Sequence, residues 1–237
     1  MNKRRILAIA MSLMIVAILA IGATMAYFTA DDRATNVFTY GNVEIELKED
    51  FTQESKLLPA TGSAQQGTLV NGVEKKIRVK NTGSEDAFVR VHIAIPSILD
   101  NGDPSFDAKN NVLHFNYEDT SIGAGKWDWS KTAGAPYEGD WNYYETTIDD
   151  IAYNVYVVTY GTALEADEET KENAMWQVYL DKKVTQSDMA KIAEALGGNP
   201  KIYVVAEGTQ ASGFADAYAA LNTSFGEPGK YNVTFVE

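Results

Sequence analysis

Cysteine is absent from this 237-residue chain, and histidine occurs only twice, at His92 and His114. Without thiols there is no disulfide framework, no thiolate nucleophile and no zinc–thiolate site. A hydrolytic zinc centre takes three protein ligands and keeps a position open for water. Two histidines, with no His-Glu-x-x-His helix, supply too few. Serine hydrolase chemistry is equally short of parts, because no Gly-x-Ser-x-Gly turn occurs and histidine is scarce. No glycine-rich phosphate loop is present. Positive charge is also sparse: 20 basic side chains stand against 33 acidic ones, a formal charge of −13. So acidic a chain repels polyphosphate, which argues against nucleic acid as a partner.

What is there begins with a leader. Lys3-Arg4-Arg5 is followed by an uncharged apolar run from Ile6 to Ala23, and small residues close it at Thr24-Met25-Ala26. This order of basic, apolar and small segments describes an export signal cut after Ala26. The competing reading is an uncleaved anchor, since the run approaches the length that spans a bilayer. Cleavage would remove three basic residues and no acid, making the exported part more acidic still. That part is long enough to bury a core without covalent staples.

The rest of the chain is punctuated by period-two alternation. Val43 to Lys48, Lys75 to Lys80 and Ala87 to Ile95 each read as a strand with one buried and one wet face. In the second, Ile77 and Val79 point inward. In the third, Val89, Val91, Ile93 and Ile95 share the inner face, and Arg90 and His92 the outer one. Asn81-Thr82-Gly83 between them is a turn signal, so the two are expected to form an antiparallel hairpin, with Pro96 ending the ladder. Val112 to Tyr117, Trp141 to Ile148, Tyr153 to Tyr160, Lys201 to Ala206 and Tyr231 to Val236 are further strands. Trp127 and Trp129 would share a face and pin their stretch to the surface of the sheets. Leu164 to Ala174 is a loop or a ragged helix, and Met175 to Leu180 a short apolar run. Thr185 to Leu196 is the clearest helix: Thr185 caps it, Asp188 answers as the reciprocal carboxylate, and Gly197-Gly198 release it. Ser212 to Leu221 is a second helix, buried through Phe214, Ala217, Tyr218 and Leu221. Many short strands with Gly, Asn and Pro turns predict a mainly β protein, a β-sandwich with a helical insertion at about 160–225. No linker or composition break divides residues 41–237.

Several segments resemble a known family. Ala26-Tyr27-Phe28-Thr29, Thr35-Asn36-Val37-Phe38 and Gly41-Asn42-Val43-Glu44-Ile45 are similar to the start of the exported proteins related to TasA and camelysin. These are biofilm-matrix and cell-surface proteins of Gram-positive bacteria, processed by the signal peptidase SipW. Val79-Lys80-Asn81-Thr82-Gly83-Ser84 with Ala87-Phe88-Val89-Arg90-Val91 resembles the family's strand–turn–strand piece, and Trp141-Asn142-Tyr143-Tyr144 an aromatic run of some members. The likeness covers residues 1–48 and 75–95; the alanine-rich C-terminal part departs from the matrix-fibre pattern. The resemblance implies a secreted protein with a jelly-roll-like sandwich, a SipW-like peptidase and accessory matrix proteins as partners, and self-association into fibres by donor-strand exchange. The donor would be the segment 27–40 freed by cleavage, anchored by Tyr27, Phe28, Val37 and Phe38. The competing reading makes the same residues the first strand of their own sheet. No cofactor is expected.

Some camelysin-like relatives are described as metalloendopeptidases, which sets a test on residues. His92 and His114 with Asp100 or Asp103 would hold a metal only if their two strands paired; otherwise His92 is a surface histidine and His114 a hydrogen-bonded strand histidine. Asp100-Asn101-Gly102-Asp103 with Asp107, Asp31-Asp32 and Asp149-Asp150 offer oxygen donors to calcium. The spacing departs from an EF-hand loop, so they are expected to be solvated turns. Leu58-Pro59-Ala60-Thr61-Gly62 matches the sortase pentapeptide but lies far from any spanning stretch and basic tail, and reads as a loop. Asn222 and Asn232 open glycosylation-type triplets that carry little weight. Tyr143, Tyr144, Tyr153, Tyr156 and Tyr160 either pack the core or build a glycan platform. The sequence therefore predicts a non-enzymatic structural protein of the cell surface or matrix. A surface-anchored binding module for glycan or protein is the alternative, and a metalloendopeptidase the one after that.

Overall fold

The computed structural model describes residues 42–51, 56–60, 69–102, 111–116, 125–129 and 143–235. The leader with Thr24 and Ala26, the segment with Tyr27, Phe28, Val37 and Phe38, and Asp31, Asp32, Asp103, Asp107, Trp141 and Asn142 lie outside the described residues. So do Thr61 and Gly62.

Alternating sequence becomes two sheets. The first has the order β1 (Ile45–Phe51), β2 (Val73–Asn81), β8 (Gln177–Leu180), β4 (Leu113–Asn116). The second runs β5 (Trp127–Asp128), β7 (Ile151–Tyr160), β3 (Ala87–Pro96), β9 (Tyr203–Gln210), with β6 (Tyr143–Ile148) beside the other end of β7. All these pairings are antiparallel. Ile77 and Val79 from one sheet and Val89, Val91, Ile93 and Ile95 from the other are fully buried in a shared core. The result is a mainly β body of two packed sheets with two helices toward its C-terminal side, as the alternation predicted.

The predicted hairpin between β2 and β3 does not form. The two strands belong to different sheets, and the turn between them is an arch. Asn81, fully buried, holds it: its amide nitrogen donates to the carbonyls of Glu85 (2.8 Å), Leu164 (3.0 Å) and Glu165 (3.2 Å). Thr82 and Gly83 both donate to the carbonyl of Glu44. A Cβ on Gly83 would lie 2.1 Å from the Asn42 carbonyl oxygen, so only glycine fits the close approach. The arch lets the inner faces of both strands, Ile77 and Val79 on one and Val89 and Val91 on the other, meet in the shared core.

Trp127 and Trp129 do share a face, but it is the inner one. Both are fully buried, their indole N–H groups donating to the carbonyls of Glu172 (2.8 Å) and Ala174 (3.1 Å). A buried indole needs such a partner, and an extended stretch supplies it. Residues 164–174 take the loop alternative: turns, bends and isolated bridges that run along β2 as the lead-in to β8, with Thr170 and Ala174 donating to Val79 and Ile77 carbonyls. Tyr156 and Tyr160 are likewise core residues, which removes these two from any glycan platform, while half-buried Tyr143 lies tilted against Tyr156 with ring centroids 5.9 Å apart. Pro59 bridges to Leu180 and Ala60 is buried, so the sortase-like stretch begins in the first sheet.

Helix α1 (Gln186–Leu196) has the predicted capping box: Asp188 N–H donates to Thr185 Oγ1 (3.2 Å) and Thr185 N–H to Asp188 Oδ2 (2.9 Å). Gly197 at φ 66° closes it in the left-handed region. Ile192 enters the main core, with Met189 and Leu196 against it. Helix α2 spans Ala217–Phe225, later than predicted, because Asp216 rather than Ser212 caps it. Ala217, Ala220 and Leu221 are its buried residues, so the predicted Phe214 and Tyr218 are not fully covered. It lies against β3, β9 and β7. Residues 231–235 are not a sheet strand, although Tyr231, Val233 and Phe235 are half-buried while Asn232 and Thr234 are exposed.

Candidate functional site

Two places in the body carry features beyond packing. The first is the side where β1 and β9 end their sheets. Glu44 and Thr82 face each other across the register, with Thr82 N–H donating to the Glu44 carbonyl (2.8 Å). Backbone hydrogen bonds alternate along an antiparallel pair. Glu46, Lys48 and Asp50 therefore turn their amides to β2, and Ile45, Leu47, Glu49 and Phe51 turn theirs outward. On β9 the bond from Ala211 N–H to the Asp86 carbonyl sets the same count, leaving Val204, Ala206, Gly208 and Gln210 facing out. Among the described residues no strand lies beside either edge. The edges meet at Ile45, whose Cγ2 lies 2.7 Å from where a Gly208 Cβ would be. Along this side the core is incompletely covered: Ile45, Leu47, Val204 and Ala206 pack on it yet remain half-exposed.

The second place is the outer face of the second sheet. The alternation of β3 puts Arg90 and His92 there, as predicted, but the face is not wet: Arg90 is 2% exposed and His92 0%. The prediction of a surface histidine fails because α2 and residues 226–235 cover this face. Arg90 Nε donates to Glu207 Oε2 (2.6 Å), Nη1 to Asn222 Oδ1 (2.9 Å), and Nη2 to Tyr231 Oη (2.8 Å) and the Gly226 carbonyl (3.1 Å). His92 Nε2 lies 3.1 Å from Glu207 Oε2, and Tyr144 Oη is 3.4 Å from His92 Nδ1. Burial lowers the pKa of His92 so that it stays neutral, against the raising influence of Glu207. Burial works against the charge on Glu207, but the hydrogen bond from His92, the Arg90 guanidinium and the Tyr231 hydroxyl outweigh it and hold its pKa below the ordinary carboxylate range. The Tyr231 phenol is pushed up by burial and by Glu207. The cluster is thus an internally compensated Arg–Glu pair with a neutral imidazole.

The condition set for a metal, pairing of the His92 and His114 strands, is not met. β3 and β4 lie in different sheets, so His92 and His114 never pair. His114 stacks on Tyr179 and binds Asp181 Oδ2 at 3.1 Å. Asp100 is buried and committed: its oxygens accept from Tyr156 Oη (2.7 Å), Asn154 Nδ2 (3.0 Å), Gly102 N (3.2 Å) and Asn111 Nδ2 (3.0 Å). Burial raises its pKa despite these bonds. No group of three or more metal-type side chains occurs among the described residues. Asp149 and Asp150, at φ 50° and 64°, form the two-residue turn between β6 and β7, the conformation such hairpins require.

Sequence reasoning missed Glu207, Asn222 and Tyr231 as members of one cluster. The signal lay in Arg90 and His92, polar residues on a strand otherwise wholly apolar. No protein-family model matches the chain, and no curated protein matches it.

Proposed function

We propose that this is a secreted structural protein of the cell surface or biofilm matrix, whose copies join by adding a strand to the β1/β9 side. The observation that carries the reading is that side's pair of outward-facing backbone edges above a half-exposed core. An edge with unpaired amides and carbonyls is a template for another strand, main-chain bonds giving affinity and alternate side chains giving register. In this reading the strand is the segment 27–40 of a neighbouring copy, freed when the leader is cut after Ala26 by a SipW-like peptidase. Tyr27, Phe28, Val37 and Phe38 are its anchors, and the completed sheets take a jelly-roll-like form. Head-to-tail addition whose rotation does not close builds filaments. The resemblance to the TasA and camelysin group supports the same reading through the leader and the Asn-x-Phe step; among the described residues no group of metal-type side chains supports a proteolytic role.

Negative-stain imaging of protein beginning at Tyr27, beside protein lacking residues 27–40, tests this. Filaments from the first and none from the second are expected. If both remain dispersed across salt and calcium conditions, assembly by strand addition is wrong.

A further inference from the structure

The segment from Gly226 to Phe235 follows α2 and meets the outer face of the second sheet through Tyr231. Among the described residues it joins no ladder from 231 onward. Its inner residues, Tyr231, Val233 and Phe235, are half-buried, and Phe235 packs with Tyr144, Tyr153, Val155 and Tyr203 in a small cluster separate from the main core. What fixes it is polar. Tyr231 Oη donates toward Glu207, 2.7 Å from Oε1 and 2.8 Å from Oε2, accepts from Arg90, and lies 3.3 Å from His92 Nε2. The Gly226 carbonyl at its root accepts from the same guanidinium.

A segment held by side chains instead of a ladder opens independently of the sheet beneath it. The network that holds it runs past His92: Glu207 from β9 and Tyr231 from the segment lie at its Nε2 and Tyr144 from β6 at its Nδ1, while Arg90 on β3 donates to the same Glu207 oxygen. The α2 residue Asn222 touches Arg90 and carries no charge, and β7 opposes His92 with Val157. With His92 neutral, the arginine and glutamate charges cancel. Adding a proton puts a third, uncompensated charge into a fully buried position, a costly arrangement that opening to water relieves.

We infer that residues 226–235 are an acid-released strap: protonation of His92 unseats Tyr231 from Arg90 and Glu207, and the strap lifts to bare the tyrosine-lined face formed by Tyr144, Tyr153 and Tyr203. The direction follows from linkage. The imidazole takes a proton more readily in the open form, so the open population is low above the ordinary histidine range and grows as pH falls through it. This device is independent of assembly at the β1/β9 side.

The absence of native cysteine makes the test clean. Spin labels at Asn232→Cys and Thr147→Cys, both exposed positions, report strap-to-sheet distance by pulsed electron resonance in the full exported chain. At pH 7.5 a single narrow distance is expected. At pH 5 a longer, broad population grows several-fold, while near-ultraviolet circular dichroism of the core tryptophans is unchanged. His92→Gln keeps a donor for Glu207 but does not titrate, so it is expected to hold the narrow distance at both pH values. Tyr231→Phe removes the hydroxyl and is expected to show the broad population already at pH 7.5. The inference is overturned by an identical distribution at the two pH values in the unsubstituted strap, by acid opening that persists in His92→Gln, or by a narrow distance in Tyr231→Phe.

Discussion

The two sheets present outer faces of similar sequence and opposite fate. β2 sends Lys76, Arg78 and Lys80 outward, where they meet Glu74, Asp50, Glu169 and Asp167 in water; Arg78 and Asp50 are 2.9 Å apart with side chains 33% and 57% exposed. β3 sends Arg90 and His92 outward, and α2 with the 226–235 segment covers them. Read along the chain, both strands are alternations of apolar and basic residues. Alternation tells which side chains leave the core but not what waits on the far side. A charge on a solvated face keeps its water and gains little from a partner, whereas under a cover it must be paired with good geometry or it destabilises.

The largest test of that contrast is a pair of deletions. Arg90→Ala strands Glu207 as a buried, unpaired carboxylate and is expected to cost about 3–5 kcal/mol in urea unfolding. Arg78→Ala, on the solvated face, should cost less than about 1 kcal/mol. Equal losses would break the comparison.

Stability against pH separates the faces next. Both His92 and Glu207 have folded-state pKa values depressed below their unfolded ones. The unfolded chain therefore takes the protons first, and their contribution is complete above about pH 6.5. It should fall in two stages, first as pH drops below the histidine range, then below about 4.5 as Glu207 is protonated. Titrating the urea midpoint checks this, and His92→Gln should remove the first stage and narrow the second, since His92 is one of the groups that lower Glu207.

Asn81 stands where the chain passes from the solvated sheet to the covered one. Asn81→Ala leaves carbonyls of Glu85, Leu164 and Glu165 without their donor and should cost about 1–3 kcal/mol. At the small end, Thr185→Ala removes the α1 cap and should cost about 1 kcal/mol, read as a lowered thermal midpoint.

How much of this could be read beforehand varies by element. Strands β1, β2, β3, β4, β6, β7 and β9, the α1 capping box and the inner faces of β2 and β3 were legible because they rest on local periodicity and capping chemistry. The β2–β3 connection was misjudged, since Asn-Thr-Gly suits a hairpin and an arch alike; which one forms depends on Glu44 and Leu164, remote in sequence. Trp127 and Trp129 were given the right shared face and the wrong depth, because their partners Glu172 and Ala174 lie in a stretch without period. The Arg90 cluster draws on β3, β9, α2 and the 226–235 segment, and no local pattern joins them. The outward edges of β1 and β9 were equally hidden, since a strand's sequence does not record whether its second side is paired.

Residue-resolved hydrogen exchange on dispersed and assembled protein tests the strand-addition account most directly. In the dispersed state, amides of Glu46, Lys48 and Asp50 should be protected and those of Ile45, Leu47, Glu49 and Phe51 should exchange freely. Assembly should protect either that second set or its counterpart on β9, Val204, Ala206, Gly208 and Gln210. Filaments in which both outward sets go on exchanging as they do in solution would contradict it.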